Sequence, residues 1–177
     1  MTAPQSARIR PFVFLDRDGT LVEDKGYTHK LADYAPLPGA LAACRALSDA
    51  GSLLAIVTNQ SGIGRSLFSE ADFWRFQRRL LRDLACWGVP IAATYLCPHR
   101  PDEGCACRKP APGMLFRARD ELGADLARSV VIGDAERDLE AGRRAGCLPG
   151  LRINPADPEA CPSLAAAVSR LLETSRS

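Results

Sequence analysis

The chain has 177 residues and a mass of 19.1 kDa, close to the ~150 residues that are typical of one domain. Its net charge of +2 is too small to indicate a nucleic acid or an anionic membrane as a partner. No uncharged apolar stretch approaches the ~18 residues that a membrane span needs, and residues 1–10 lack the apolar segment of a secretory signal. The composition therefore predicts a soluble, cytoplasmic protein, and we expect a monomer because long apolar surface runs are missing.

Short apolar runs alternate with segments of helical periodicity along most of the chain. Strands are predicted at 11–15, 52–57, 91–96, 129–133 and 148–153. Helices are predicted at 39–50, 70–87, 112–122, 136–145 and 162–173. In the second helix, Ser69 and Asp72 have the spacing of a capping box. Its apolar stripe, which we expect in the core, consists of Phe73, Phe76, Leu80, Leu84 and Trp87.

This alternation predicts an α/β fold, a three-layer α/β/α sandwich with a mainly parallel sheet. We expect residues 1–177 to form one domain, with a core at about 10–154 and a helical tail at 155–177. Only about twenty residues separate the first strand from the first helix, too few for a separate cap domain. The loops at the strand ends must then cover any site.

Polar residues follow three of the predicted strands, where parallel sheets bind their ligands. They are Asp16 and Asp18 after the first strand, Thr58 after the second, and Asp134 with Asp138 after the fourth; Lys109 lies in a nearby loop. Residues two apart in extended chain point to the same side, so Asp16 and Asp18 can face one site. Clustered carboxylates suit Mg²⁺, whereas Thr58 and Lys109 supply donors for a phosphoryl group. Ordinary turn residues would explain one such strand end but not three.

A second cluster lies in the loop before the fourth helix. Cys97, His99, Cys105 and Cys107 fall within eleven residues and present three thiolates and an imidazole. Zn²⁺ takes such a set as a closed tetrahedral site, which indicates a structural role. Seven cysteines without a secretion signal argue against a disulfide framework. The remaining four are predicted to be small buried apolar residues, namely Cys44, Cys86, Cys147 and Cys161.

These residues lie in four blocks that resemble the haloacid dehalogenase (HAD) superfamily. Within it, the blocks are most similar to the D-glycero-D-manno-heptose 1,7-bisphosphate 7-phosphatase family. They are FLDRDGTLVEDKGYTHK, VTNQSGIGR, CPHRPDEGCACRKPAPGM and VIGDAERD, and the resemblance covers about residues 12–153. It implies a Mg²⁺-dependent phosphatase with a structural zinc loop, which acts on a small phosphorylated sugar in nucleotide-activated heptose biosynthesis.

The resemblance also implies roles for individual residues. Asp16 would be the nucleophile that forms an aspartyl-phosphate, and Asp18 the general acid and base. Asp16, Asp134 and the backbone carbonyl of Asp18 would hold Mg²⁺. Thr58 and Lys109 would bind the phosphoryl group, and Arg108 the rest of the substrate. The implied pocket lining comprises Asp24, Lys25, Gly26, Tyr27, Asn59, Gln60 and Ser61.

Two positions depart from the family pattern. Ala135 stands where some members carry a lysine, which puts a phosphate contact there in doubt, and Ser66 stands where a glycine is common. The preferred anomer of the sugar stays open.

Four alternatives also stay open. Two are phosphatases, one for histidinol phosphate and one for polynucleotide 3′ ends. The others are a receiver-type phospho-acceptor domain, against which Asp18 argues, and a purely structural zinc module, which would leave the three strand ends unexplained.

Overall fold

The computed structural model describes residues 10–174, so the prediction about a secretory signal lies almost entirely outside the described residues. Within these residues, five strands form one sheet: β1 (Phe12–Leu15), β2 (Leu53–Asn59), β3 (Ile91–Cys97), β4 (Val130–Gly133) and β5 (Leu151–Arg152). Their order is β3-β2-β1-β4-β5, and every neighbouring pair is parallel. The predicted strand at 148–153 is reduced to two residues, whereas β2 continues two residues beyond its predicted end.

In the described part of the chain, six α-helices accompany the sheet: α1 (Ala40–Asp49), α2 (Ser61–Gly64), α3 (Glu70–Cys86), α4 (Gly113–Leu122), α5 (Glu136–Ala145) and α6 (Leu164–Thr174). Short 3-10 helices occur at Leu31–Asp33, Pro101–Glu103 and Leu126–Arg128. The predicted helices are confirmed within a few residues at each end. The single turn of α2 was not predicted.

The sheet is covered on both faces, as the alternation within β1 shows. Val13 and Leu15 join a buried cluster with residues of α1, α3 and α6. Phe12 and Phe14 point the other way, into a second cluster with residues of α4 and α5. A strand buried on both faces reads as a continuous apolar run because every side chain meets a helix layer. The predicted three-layer α/β/α sandwich is therefore confirmed.

Helix α3 begins with the predicted capping box, in which the Ser69 hydroxyl accepts from the Asp72 N–H at 3.1 Å and the Asp72 carboxylate accepts from the Ser69 N–H at 3.0 Å. The apolar stripe is buried along the helix, at Phe73, Phe76, Leu80 and Leu84. The prediction for Trp87 was wrong: it caps the end of the helix, beyond the last turn, and is 48% exposed.

The loops at the carboxyl ends of the strands form no separate cap domain within the described chain. Between β1 and α1 the only helical piece is the 3-10 helix Leu31–Asp33. No helix within residues 10–174 combines the length and apolar character that crossing a bilayer would require.

The cysteine prediction was wrong for Cys86, which is exposed, and only partly met by Cys147, which is half-buried.

Candidate active site

A cavity of about 170 Å³ opens at the carboxyl ends of β1 and β2. Ten residues predicted from the sequence line it: Asp16, Asp18, Asp24, Tyr27, Thr58, Asn59, Gln60, Ser61, Arg108 and Lys109. Thr28 and Arg137 line it as well and were not predicted. Lys25 and Gly26 belong to the same loop but do not line the cavity, since the exposed Lys25 ammonium lies 3.7 Å from Glu23 instead.

Three carboxylates meet beside this cavity. One oxygen from each of Asp16, Asp134 and Asp138 lies within 4.8 Å of the others. Gly19 leaves room for Asp134 in this group, because a Cβ at position 19 would stand only 2.5 Å from Asp134 Oδ2. Asp138 follows the fourth predicted strand, but no role was predicted for it. Its Oδ2 accepts from the Ala135 N–H at 3.0 Å, a cap at the start of α5 that turns the side chain back toward β4.

Lys109 connects the acids, and its side chain is 3% exposed. Lys109 Nζ donates to Asp16 Oδ1 at 2.6 Å and to the Val57 carbonyl at 2.7 Å, and it lies 2.7 Å from Asp138 Oδ1. The Asn59 side chain fixes the lysine backbone, since its amide bonds to the Lys109 N–H and C=O at 3.0 Å each. The cation therefore has one defined position between two strand ends.

Burial raises the pKa of Asp16 to about 7, against the attraction of Lys109, and the charges of Asp138 and Asp18 raise it further. Burial and the nearby Asp138 also raise the pKa of Asp134. Asp134 Oδ1 is buried and has no hydrogen-bond partner within the described chain. A divalent cation among these oxygens would favour their charged forms and bind the orphaned atom, so the donor set fits Mg²⁺.

Asp18 has different surroundings, although it lines the same cavity. Arg17 donates from Nε and Nη2 to both of its carboxylate oxygens, at 2.8 to 3.1 Å. Gln60 Nε2 donates to Asp18 Oδ2 at 2.7 Å and to the Thr58 hydroxyl at 2.8 Å. Burial raises the pKa of Asp18, while Arg17 and Gln60 oppose that rise. Its side chain is not in the group of three carboxylates.

The four predicted thiol and imidazole ligands converge in the loop after β3. Cys105 Sγ lies 3.6 Å from the sulfurs of both Cys97 and Cys107, and His99 Nδ1 lies 3.5 and 3.3 Å from those two. Tetrahedral ligands at the ~2.0–2.3 Å of Zn–N and Zn–S bonds would stand roughly 3.5–3.8 Å apart. The observed spacing therefore fits a single Zn²⁺.

Comparison with known proteins gives consistent matches. A family model described as HAD-hydrolase-like matches residues 106–149. The D-glycero-beta-D-manno-heptose-1,7-bisphosphate 7-phosphatase of Yersinia pestis is 43% identical over 142 residues, which are 76% of each chain. The alpha-anomer enzyme of Campylobacter jejuni is 42% identical over 133 residues, 75% of this chain and 76% of its own.

The chain belongs to the heptose-1,7-bisphosphate 7-phosphatase family. A solved member from B. bronchiseptica, "complexed with magnesium and phosphate", superposes with a TM-score of 0.83 at 35% identity over 93% of this chain and 99% of its own. The resemblance drawn from the four sequence blocks is thus confirmed, and this chain is a HAD-type phosphatase.

Proposed function

We propose that this phosphatase hydrolyses the 7-phosphate of D-glycero-D-manno-heptose 1,7-bisphosphate with Mg²⁺ as cofactor. The proposal rests on one observation, namely that two acids with different partners line the same cavity. Lys109 binds the Asp16 carboxylate, whereas Arg17 binds that of Asp18. Such a pair of acids in different surroundings suits two different tasks. The substrate is that of the family to which the chain belongs.

Asp16 is the nucleophile in this proposal. Its carboxylate oxygen attacks the phosphorus of the 7-phosphate, and the bond from phosphorus to the sugar oxygen breaks. Asp18 gives its proton to the departing sugar oxygen. It then takes a proton from the water that attacks the aspartyl-phosphate, which returns free phosphate and regenerates the Asp16 carboxylate.

Asp16, Asp134 and Asp138 would hold the metal, with the backbone carbonyl of Asp18 as the further ligand that the family resemblance implies. When bound there, Mg²⁺ neutralises charge on the transferring phosphoryl oxygens. The Lys109 ammonium and the Thr58 hydroxyl would bind the same oxygens from the protein side. Arg108, at the edge of the cavity, would contact the more distant part of the sugar phosphate.

The thiol loop would hold Zn²⁺ as a structural ion in this proposal. Cys107 stands two residues before Lys109, and Arg108 Nη1 donates to the His99 carbonyl at 3.4 Å. A bound metal would therefore fix both cations at the cavity.

We also propose a single domain, because residues of α6 pack into the same cluster as those of β1 and α1.

Release of inorganic phosphate tests the proposal directly. The purified chain, assayed with Mg²⁺, should hydrolyse one or both anomers of the heptose bisphosphate with a kcat/KM far above that for histidinol phosphate. EDTA should abolish the activity and Mg²⁺ should restore it. A higher kcat/KM for histidinol phosphate, or no turnover of either anomer, would contradict the assigned substrate.

A further inference from the structure

Arg17 is a buried cation beside the cavity for which the proposed mechanism has no task. Its side chain is 0% exposed. The guanidinium lies over the rings of Phe73 and Phe76, with 5.1 and 4.8 Å between the guanidinium carbon and the ring centroids. A fully desolvated charge is costly unless it is paired and hydrogen-bonded, so its partners explain why it is there.

Those partners belong to two different parts of the site. Nε and Nη2 of Arg17 contact both oxygens of Asp18. The same Nη2 donates to the backbone carbonyl of Thr28 at 2.7 Å. Thr28 lies in the loop of residues 24–28, and its hydroxyl accepts from the Lys25 N–H at 2.9 Å. One planar fork thus joins the acid at the end of β1 to the loop that forms one wall of the cavity.

We propose that Arg17 is a positioning residue, which sets the orientation of the Asp18 carboxyl group toward the substrate's leaving oxygen and holds the 24–28 loop at a fixed distance from it. The inference rests on the proposed role of Asp18 as general acid. The two aromatic rings fix the guanidinium plane, so the Asp18 carboxyl group that binds to it also has a defined orientation. Proton transfer needs such a direction, because donor and acceptor must come within about 3 Å.

The effect of Arg17 should therefore depend on how much the leaving group needs a proton. A sugar alkoxide departs only when it is protonated, whereas the phenolate of p-nitrophenyl phosphate departs without a proton. In Arg17→Met, kcat/KM for the heptose bisphosphate should fall by ~10- to 100-fold, part of the ~10²–10⁴ typical of general acid catalysis. For p-nitrophenyl phosphate it should fall less than about threefold, since kcat/KM covers only the steps up to aspartyl-phosphate formation.

The ratio of the two kcat/KM values is the decisive readout, because it is independent of the fraction of folded enzyme. Arg17→Lys keeps the positive charge but loses the planar guanidinium, and it should show the same change of ratio. It therefore serves as the test if Arg17→Met does not fold. Arg79 offers a matched control: it lies 5.0 Å from the Tyr34 ring centroid and bonds to Asp83, away from the cavity. Arg79→Met should leave the ratio unchanged.

Asp18→Asn separates failure of this inference from failure of the proposed function. If Asp18→Asn changes the ratio and neither Arg17 variant does, Arg17 is only a structural cation and the inference is wrong. A lysine variant with the wild-type ratio would show that charge alone suffices, which also contradicts positioning by the fork. If Asp18→Asn itself leaves the ratio unchanged, the general acid assignment fails, and the inference fails with it.

Discussion

Two clusters of metal-ligand type lie close together in this chain, and they are built in opposite ways. The thiol cluster uses four residues within eleven positions, so its geometry depends on one loop. The acidic cluster collects Asp16, Asp134 and Asp138 from the ends of β1 and β4 and the first turn of α5, and Lys109 reaches Asp16 from 93 positions away. The first cluster is a local structure, whereas the second exists only because the sheet brings distant segments together.

The surroundings of each cluster also shift the pKa values of its ligands. In the acidic cluster, burial and mutual repulsion raise the pKa values of Asp16 and Asp134, so the ionised carboxylates are unfavourable unless a cation binds among them. In the thiol cluster, burial raises the pKa values of Cys97 and Cys107, whereas burial is outweighed at Cys105, where hydrogen bonds from the Arg108 N–H and the neighbouring thiols lower the pKa to about 7. Because the acidic cluster contains Asp16 and the thiol loop holds Arg108, we expect reaction chemistry to depend on the acidic cluster and substrate affinity on the thiol cluster.

The largest effect is expected from Asp16→Asn. The amide cannot attack phosphorus, so turnover should fall by on the order of 10⁴-fold or more, comparable with removal of a catalytic nucleophile elsewhere. Steady-state phosphate release measures the loss, and Tm should stay within a few degrees of wild type. Asp120→Asn, at an exposed acid that pairs with Arg119, is the control and should keep full activity. Near-normal turnover in Asp16→Asn would remove Asp16 as the nucleophile.

Asp138→Asn should have the next largest effect. It removes one of the two carboxylates that hold the Lys109 ammonium and weakens the proposed metal site. We expect kcat/KM to fall by ~10- to 100-fold, the range typical of groups that orient metal ligands. Calorimetric Mg²⁺ titration should show weaker binding. Glu140→Gln, on the same helix but paired with surface arginines, should change neither quantity. Unchanged Mg²⁺ affinity in Asp138→Asn would restrict the metal site to the other two acids.

Cys105→Ser tests the proposed division of labour between the clusters. We expect loss of zinc, measured by elemental analysis of the purified protein, and a KM about tenfold higher with a smaller change in kcat. The reason is that Arg108 and Lys109 follow the loop directly, while the acids lie on other elements. Cys86→Ser, at the exposed cysteine on α3, should retain zinc and wild-type kinetics. Wild-type KM in a zinc-free variant would separate the loop from substrate binding.

The smallest effect is the pH dependence of Mg²⁺ stabilisation. The raised pKa of Asp16, about 7 against 3.8 for the free group, means that without metal its ionisation reduces folded-state stability as pH rises through that window. Since Mg²⁺ binds the carboxylate form, its addition should raise Tm by several degrees at pH 8 and hardly at pH 5. In Asp16→Asn this pH dependence should shrink. A rise in Tm that is equal at both pH values would contradict protonation of the site.

The sequence allowed the strand ends and the thiol loop to be predicted because both depend on short-range signals. Apolar runs located β1, β2 and β4, and parallel strands place their carboxyl ends at one edge. The position of Asp138 depends on the hydrogen bond that its carboxylate accepts from the Ala135 N–H, and the burial of Arg17 depends on two aromatic rings of α3. These contacts join segments that no local pattern relates. Trp87 shows the converse, since a helical stripe continues in sequence after the helix itself has ended.

In the proposed reaction, Asp16 accepts the phosphoryl group while Asp18 faces it across the cavity. A crystal structure with Mg²⁺ and beryllium fluoride, a mimic of the aspartyl-phosphate, would show which side chain takes the phosphoryl group. We expect beryllium bonded to an Asp16 carboxylate oxygen, the metal among Asp16, Asp134 and Asp138, and Asp18 directed at the fluorides. Beryllium bonded to another side chain, or an unmodified Asp16 beside bound Mg²⁺, would contradict it.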